Sequence, residues 1–516
     1  MLQKIRELSS NLAIYGLGDV AISVVNFLLL PLYVRYLTPE DYGVLALLGA
    51  VEVIAKIFFR WGLDGSFMRF YYDAEEADAR QRLASTIFFF LLATNGALLI
   101  ASLTAAPLVA AAAAGHVRAL QLVLINTFAM GFTFLPFHLL RMQNKAAQFS
   151  ALTLARSVAT VVLRIVLVVG LGMGVMGVVL ADVVVTALLM VVLVRWFVPL
   201  IRPAFSREVL RETLRFGLPR VPHAAAQQVT AVGDKFLLAL FRPTADIGVY
   251  SMGVSFGLTL KLFLSAFEHA WAPFYYSNAR QPDAPRIYSS VTTYALALLT
   301  LLTAGLSATG GDLLAAITGP DYARAGNVVA WTAVGVLCQG VYLLTSIGLN
   351  LTKHTEYYPV ATIVASATNV GLNLVLIPRF GIIGAAWANA AAYALQAAVA
   401  LRFSQRFYPI RYEGARLARV AVAGTIAVVA GNALPEMTPW AGVVARGSVV
   451  VALFGATLWL SGFFRPEEIA SIRRLYVRGA PRRPSMPPAD TTELAGEIVA
   501  ADVPHEGVLD PRRGGS

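Results

Sequence analysis

Long apolar stretches separated by short polar connections run through most of the chain. Fourteen such stretches are long enough for a helix to cross the ~30 Å hydrocarbon core of a membrane. They lie at about 12–34, 43–63, 84–106, 119–140, 148–170, 174–197, 217–241, 247–270, 288–309, 326–349, 357–378, 381–403, 415–434 and 440–462. This pattern predicts an all-α integral membrane protein with fourteen transmembrane helices and no separate soluble domain.

Composition and charge agree with this prediction. Of the 516 residues, 57% are hydrophobic and 14% are charged, whereas about a quarter of the residues of soluble proteins are charged. The net charge of +11 is unevenly placed, because alternate connections carry 21 lysines and arginines and the others carry only 5. Positive loops stay in the cytoplasm, so we expect both termini there and no nucleic-acid partner. The single cysteine, Cys338, excludes an intramolecular disulfide.

Two pairs of segments match each other at nearly the same spacing. YLTPEDYGVL at 36–45 matches FRPTADIGVY at 241–250 with an offset of 205 residues. GVMGVVLADVVVTALL at 174–189 matches GIIGAAWANAAAYALQ at 381–396 with an offset of 207. These matches indicate a duplicated six-helix unit. Since six is even, the two halves run the same way through the membrane and are related by a pseudo-two-fold axis along its normal.

The duplication predicts four regions. They are a first six-helix lobe at 1–204, a second six-helix lobe at 205–409, an extra transmembrane hairpin at 410–462 and a cytoplasmic tail at 463–516. Arginines opposite apolar positions at 205–215 predict an interfacial helix that joins the lobes, and 466–478 repeats this pattern. Beyond residue 479 no periodic apolar face remains, which is typical of a disordered tail.

Charged residues inside the spans are the candidate functional residues, because each costs about 2.5–3.5 kcal/mol to insert and usually faces water or protein. Lys56 and Lys261 are 205 residues apart, which is the repeat offset. The duplication therefore predicts one lysine at equivalent depth in each half. Together with Arg60, one helical turn from Lys56, they predict a cationic chamber reached from the cytoplasm. The alternative is that Glu52 and Lys56, at i and i+4, form a structural ion pair.

Two acidic residues are candidates for binding H⁺ or Na⁺. Asp19, in the first span, is equally compatible with a hydrogen-bonded structural carboxyl. Asp234 is adjacent to Lys235, so the two side chains point in different directions and cannot neutralise each other on one helix face. The sequence contains no H-E-x-x-H motif and no Cys/His cluster, so we expect no catalytic residue, metal or cofactor.

Several segments, taken in order, resemble a known transporter family. They are LPLYVRYLTPEDYGVLAL, RFYYD at 69–73, and RFGLPRVPHAAAQQVTAVGDKFLLALF, ADIGVYSMG and AWAPFYY between residues 215 and 276. On a duplicated fourteen-helix chain they resemble the polysaccharide-export branch of the multidrug/oligosaccharidyl-lipid/polysaccharide (MOP) superfamily. This branch is the family of Wzx-type O-antigen and exopolysaccharide flippases, and the resemblance covers about residues 10–462.

This resemblance implies two six-helix lobes in a V, with the first, second, seventh and eighth spans around a central cavity. It implies that Lys56, Arg60, Lys235 and Lys261 bind substrate, and Arg164 on the fifth span is a further candidate. The family moves undecaprenyl-diphosphate-linked oligosaccharides from the cytoplasmic to the periplasmic leaflet of the bacterial inner membrane by alternating access. The implied partners are that lipid-linked glycan and membrane lipids.

Other properties and rival functions follow from the same comparison. We expect a monomer that works beside other polysaccharide-assembly proteins. A lipid II flippase or a drug/cation antiporter shares the architecture, but a cation antiporter favours acids, whereas bases outnumber acids on the cavity spans. A membrane glycosyltransferase, polymerase or ligase acting on the same lipid would carry a large periplasmic loop or a catalytic acid motif, and neither is present in the sequence.

Overall fold

The computed structural model describes residues 34–74, 76–108, 115–143, 145–466 and 468. The regular secondary structure of these residues is helical throughout. Contacts divide the chain into the units Met1–Ser461 and Gly462–Ser516, and the helices below all belong to the first unit. The first predicted span with Asp19, and nearly all of the predicted interfacial helix at 466–478 and the tail, lie outside the described residues.

Seventeen α-helices occur in the described part of the chain. They are α1 (Pro39–Arg60), α2 (Leu63–Asp73), α3 (Ala77–Ala105), α4 (Val117–Met142), α5 (Ala146–Arg164), α6 (Gly174–Phe197), α7 (Arg207–Gly217), α8 (Val221–Phe241), α9 (Thr244–Gly257), α10 (Leu260–Asn278), α11 (Ala284–Thr318), α12 (Gly326–Thr345), α13 (Ile347–Leu351), α14 (Tyr357–Phe380), α15 (Ile382–Phe407), α16 (Gly414–Asn432) and α17 (Pro439–Leu460). A wider helical turn at Ile165–Gly170 continues α5, and the short 3₁₀ turn Leu218–Arg220 joins α7 to α8.

The predicted all-helical membrane fold is confirmed. Twelve spans of the described residues are long and apolar enough to cross a membrane. Helix α8, the predicted seventh span, has 21 residues but is not among these twelve. Its mean hydropathy is lower than theirs because it carries Gln227, Gln228, Asp234 and Lys235. Helix α7 lies where the sequence predicts an interfacial helix. The full count of fourteen spans and the symmetry axis stay predictions.

Helix boundaries differ from the predictions where turn chemistry acts. Helix α1 begins at Pro39 because Thr38 caps it: the Asp41 backbone N–H donates to the Thr38 hydroxyl over 3.2 Å, and the Thr38 N–H donates to the Asp41 carboxylate over 2.9 Å. The chain then bends between α1 and α2, where Trp61 and Gly62 have φ of 51° and 69°. The predicted eighth span is likewise interrupted, between α9 and α10.

The two matched hairpins of the repeat pack against each other through α1 and α9. A β-carbon on Gly43 would overlap the carbonyl oxygen of Thr244, and one on Gly248 would overlap the carbonyl oxygen of Pro39. The offset of 205 relates Gly43 to Gly248 and also Pro39 to Thr244, so the two approaches are reciprocal. Only glycine permits backbones to come this close. We call these four residues the outer contact.

A second glycine contact braces the opposite end of α1. A β-carbon on Gly62 would lie 2.5 Å from the carbonyl oxygen of Gly217, and one on Gly217 would lie 2.7 Å from that of Gly62. The Ser66 hydroxyl donates to the carbonyl oxygen of Thr213 over 2.9 Å. We call these four residues the inner contact. The space between the halves is therefore bounded at both ends of α1.

Candidate functional site

A cavity of about 420 Å³ lies between α1 and α2 on one side and the start of α8 on the other. Its charged lining consists of Lys56, Arg60 and Arg220 with one acid, Asp64. We call it the cationic cavity. Most of the remaining wall is small or apolar, so an anion that enters is held by these few charges. Lys56 and Arg60 thus line the same cavity, as the sequence predicts.

The two cations that the first half contributes to this cavity are each paired with an acid one helical turn away. The Lys56 ammonium lies 2.6 Å from the Glu52 carboxylate, and the Arg60 guanidinium lies 3.3 Å from that of Asp64. The side chains of Lys56 and Arg60 are each 37% exposed. Partly solvated helix pairs of this kind contribute only about 0.3–0.5 kcal/mol, so each cation can exchange its acid for a stronger anion.

Arg220 brings a cation from the second half, and the sequence interpretation counted it only as a cytoplasmic loop charge. It ends the 3₁₀ turn between α7 and α8, and its guanidinium lies 4.3 Å from the centre of the Phe216 ring. A β-carbon on Gly65 would lie 2.8 Å from Nη1 of Arg220. Within the described residues Arg220 has no acidic partner. No sequence pattern distinguished it from its neighbouring arginines.

Arg164 lies in a different cavity. Its guanidinium binds the Asp182 carboxylate in a fork, with Nη2 donating to Oδ2 over 2.8 Å and Nε donating to Oδ1 over 3.2 Å. Both residues line a space of about 240 Å³ together with Glu52. The structure therefore does not bring Arg164 to the cationic cavity. Arg156 lies in a third space, of about 280 Å³, which shares Arg60 with the cationic cavity.

Lys261 lines a small space in the second half. It lies in the first turn of α10, just after the break between α9 and α10. The space measures about 60 Å³ and also contains Trp331, Gln339 and Asn389. Among the described residues no acid pairs with Lys261. The structure places Lys56 and Lys261 in separate cavities, so the predicted pair of lysines is not assembled in this conformation.

Asp234 is buried in a network of neutral polar groups. Only 1% of it is exposed. The Tyr250 hydroxyl and the Asn389 amide both donate to Oδ2, the latter over 2.8 Å, and the Lys235 backbone N–H donates to Oδ1 over 2.8 Å. The Lys235 ammonium has no ion-pair partner in the described part of the chain. The sequence predicts that the Asp234 and Lys235 side chains point in different directions. In agreement, the Lys235 ammonium is not among the partners of the Asp234 carboxylate.

The network continues from α15 into α14. Asn369 donates to Asn389 over 3.0 Å, and Asn373 donates to Asn369 over 3.1 Å. The side-chain oxygen of Asn373 is buried without a partner among the described residues. Asn389 occupies the repeat position of Asp182. At this position the first half thus holds the carboxylate of an ion pair with Arg164, whereas the second half holds an amide that donates to Asp234.

Comparisons with known proteins give a family match and one curated relative. A family model described as "Polysaccharide biosynthesis protein" matches residues 32–308, which is more than half of the chain. A probable low-salt glycan biosynthesis flippase of Haloferax volcanii, Agl15, is 21% identical over 196 residues, or 37% of this chain and 42% of that protein. The chain therefore matches less than half of the length of this relative.

Solved structures share the fold. The lipid II flippase MurJ, in an inward closed conformation, superposes with a TM-score of 0.65 at 14% identity, over 89% of this chain and 99% of that chain. An inward-facing multidrug resistance MATE family transporter of the MOP superfamily superposes with a TM-score of 0.61 at 15% identity, over 76% and 97% of the two chains. At these identities the likeness is one of fold.

Proposed function

The chain belongs to the polysaccharide biosynthesis protein family, and from this premise we propose that it is a flippase for a lipid-linked glycan. Its substrate is an oligosaccharide carried on a polyprenyl diphosphate of the undecaprenyl type. It moves this lipid from the cytoplasmic to the periplasmic leaflet of the inner membrane by alternating access. The observation that carries the proposal is the cationic cavity between the two halves, bounded by the outer and inner contacts.

The chemistry of the cavity suits a diphosphate. Phosphate oxygens leaving water need charge-assisted hydrogen bonds, and guanidinium and ammonium groups supply them. Three cations face one acid in the lining, which disfavours a cationic drug as cargo. When the diphosphate enters, Lys56 and Arg60 exchange Glu52 and Asp64 for phosphate oxygens. The acids thus hold the empty site together without preventing release.

Alternating access requires that the outer and inner contacts open in turn. Each contact brings backbones together at glycines, and the inner contact adds the hydrogen bond from the Ser66 hydroxyl to the Thr213 carbonyl oxygen. Neither contact depends on a side-chain ion pair among its four residues. A diphosphate held by cations from both halves favours the state in which the halves approach around it. Differential affinity of this kind is what allows a ligand to shift a conformational equilibrium.

Asp234 is the proposed site of ion coupling. A carboxylate that is 1% exposed and surrounded by neutral donors gains from binding H⁺ or Na⁺, because it has no cation of its own in the described residues. Tyr250 and Asn389 belong to α9 and α15. Loading or unloading the ion therefore changes the packing between α8 and these helices, which lie in the second half.

Substitution at the cationic cavity tests the proposal. In cells that depend on this chain for surface glycan, Lys56→Glu is expected to abolish export per folded transporter. The double variant Glu52→Ala with Lys56→Ala separates the two roles of the pair. If Lys56 is only structural, this double variant exports at the normal rate per molecule. If Lys56 binds the diphosphate, export stays low although the protein level is normal, and full export by Lys56→Glu would refute the proposal.

A further inference from the structure

We propose that Arg220 is the residue that first captures the diphosphate, before Lys56 and Arg60 leave their acids; this rests on the function proposed above. Three cations line the cationic cavity, but they are not equivalent. Lys56 and Arg60 must each give up an ion pair to bind phosphate. Arg220 has no acidic partner among the described residues and gives up none. It is the cation available to an arriving anion.

The surroundings of Arg220 hold its guanidinium in place without neutralising it. The ring of Phe216 lies 4.3 Å from the guanidinium carbon of Arg220, a cation–π contact that orients the group but leaves its charge and its donors free. The same ring also contacts Arg69, at 4.8 Å. A planar fork held in this way is preorganised for two phosphate oxygens.

Gly65 makes room for this arrangement. Its position faces the Arg220 guanidinium, and a β-carbon there would lie 2.8 Å from Nη1. That distance is shorter than van der Waals contact, which is about 3.5 Å or more. Because the clash involves the flexible end of a side chain, Gly65→Ala is expected to displace the guanidinium while leaving the backbone and the charge in place. This provides a second way to perturb capture.

The position of Arg220 explains why capture there leads to closure. It lies three residues after Gly217 of the inner contact, and it belongs to the second half, whereas Lys56 and Arg60 belong to the first. A diphosphate bound first by Arg220 therefore waits beside the inner contact. Its transfer to Lys56 and Arg60 joins the two halves across the cavity.

Binding to the full-length protein in phosphatidylcholine nanodiscs tests the proposal, with undecaprenyl diphosphate as the probe. Undecaprenyl phosphate, inorganic pyrophosphate and phosphatidylglycerol are the comparison ligands, and they separate the diphosphate lipid from a free phosphate or a bulk lipid headgroup. The variants are Arg220→Gln, Arg220→Lys and Gly65→Ala. Arg215→Gln is the matched control, because it removes an exposed arginine of the same linking segment that does not line the cavity.

We expect Arg220→Gln to weaken binding of undecaprenyl diphosphate by about tenfold or more, the loss of a charge-assisted pair. We expect Gly65→Ala to weaken it less, Arg220→Lys to restore part of it, and Arg215→Gln to leave it unchanged. If the wild type binds and Arg220→Gln binds equally well, Arg220 is not the capture residue, and the proposed function stands. If the wild type binds none of the diphosphate lipid, the proposed function fails, and the role of Arg220 fails with it.

Discussion

Replacing Gly43 or Gly248 with alanine is expected to weaken the outer contact and to shift the protein towards a state open to the outside. A β-carbon on Gly43 would lie 2.8 Å from the carbonyl carbon of Thr244, and one on Gly248 would lie 2.9 Å from that of Pro39. Nonbonded carbons prefer about 3.5–4.0 Å, and the carbonyl oxygens lie nearer still, so α1 and α9 must separate by about 1 Å or more. The opposing atoms belong to the backbone and cannot rotate away.

The size of the effect follows from this overlap. Forcing an extra methyl group into a close contact costs about 1–3 kcal/mol. If the cost acts only on the closed state, it changes the equilibrium by about 5–150-fold. The open state has no such contact, so its folding is unaffected. We therefore expect a change in accessibility with little change in protein level.

Labelling of a cysteine in the cationic cavity measures this shift. Val53 lines the cavity, so Val53→Cys in a Cys338→Ala background provides one reporter thiol for a membrane-impermeant maleimide added to intact cells. Gly43→Ala and Gly248→Ala are expected to speed labelling. Gly49→Ala is the matched control on α1, because nothing lies within 4 Å of a β-carbon at that position. If Gly248→Ala labels no faster than Gly49→Ala, the outer contact does not close the cavity.

Three further predictions concern topology, Lys261 and the tail. A cysteine at Thr38 is expected to react with impermeant maleimide in intact cells, whereas one at Arg211 stays protected; the reverse pattern would contradict the orientation. Lys261→Ala is expected to lower glycan export per folded transporter. No acid pairs with Lys261 among the described residues, so a structural ion pair does not account for it. Normal export by this variant would show that Lys261 has no role in transport. Deletion of residues 480–516 is expected to leave export intact. If export is lost while the protein level stays normal, the tail has a role in transport.

Much of the fold could be predicted because a membrane-spanning helix needs a long apolar stretch and the turns between such helices need polar residues. Both features can be read directly from the sequence. The described helices follow the predicted spans closely. The predicted relation to a polysaccharide-export family is confirmed by the match to the polysaccharide biosynthesis family, and the fold is shared with the lipid II flippase MurJ. The bend after α1 and the interruption between α9 and α10 were not predicted, because the apolar pattern continues through them. They depend on local backbone angles, such as those of Trp61 and Gly62, and on packing.

The site could be predicted only where charge spacing along one helix decides the geometry. Lys56 and Arg60 share a cavity because they lie four residues apart on α1. Arg220 was missed because a cation near a membrane boundary carries the same topology signal whether or not it faces a cavity. Tyr250 and Asn389 are neutral, so nothing in the sequence marked them as partners of Asp234. Such contacts between distant helices need coordinates.

Transport in proteoliposomes tests the central claim most directly. The purified full chain is reconstituted with an undecaprenyl-diphosphate-linked oligosaccharide, and the fraction of glycan accessible to an external glycosidase is followed with time. The account predicts that the wild type exposes glycan from the inner leaflet, and that Lys56→Glu with Arg220→Gln does so no faster than protein-free vesicles. If the wild type also matches protein-free vesicles, or if the double variant transports at the wild-type rate, the account is contradicted.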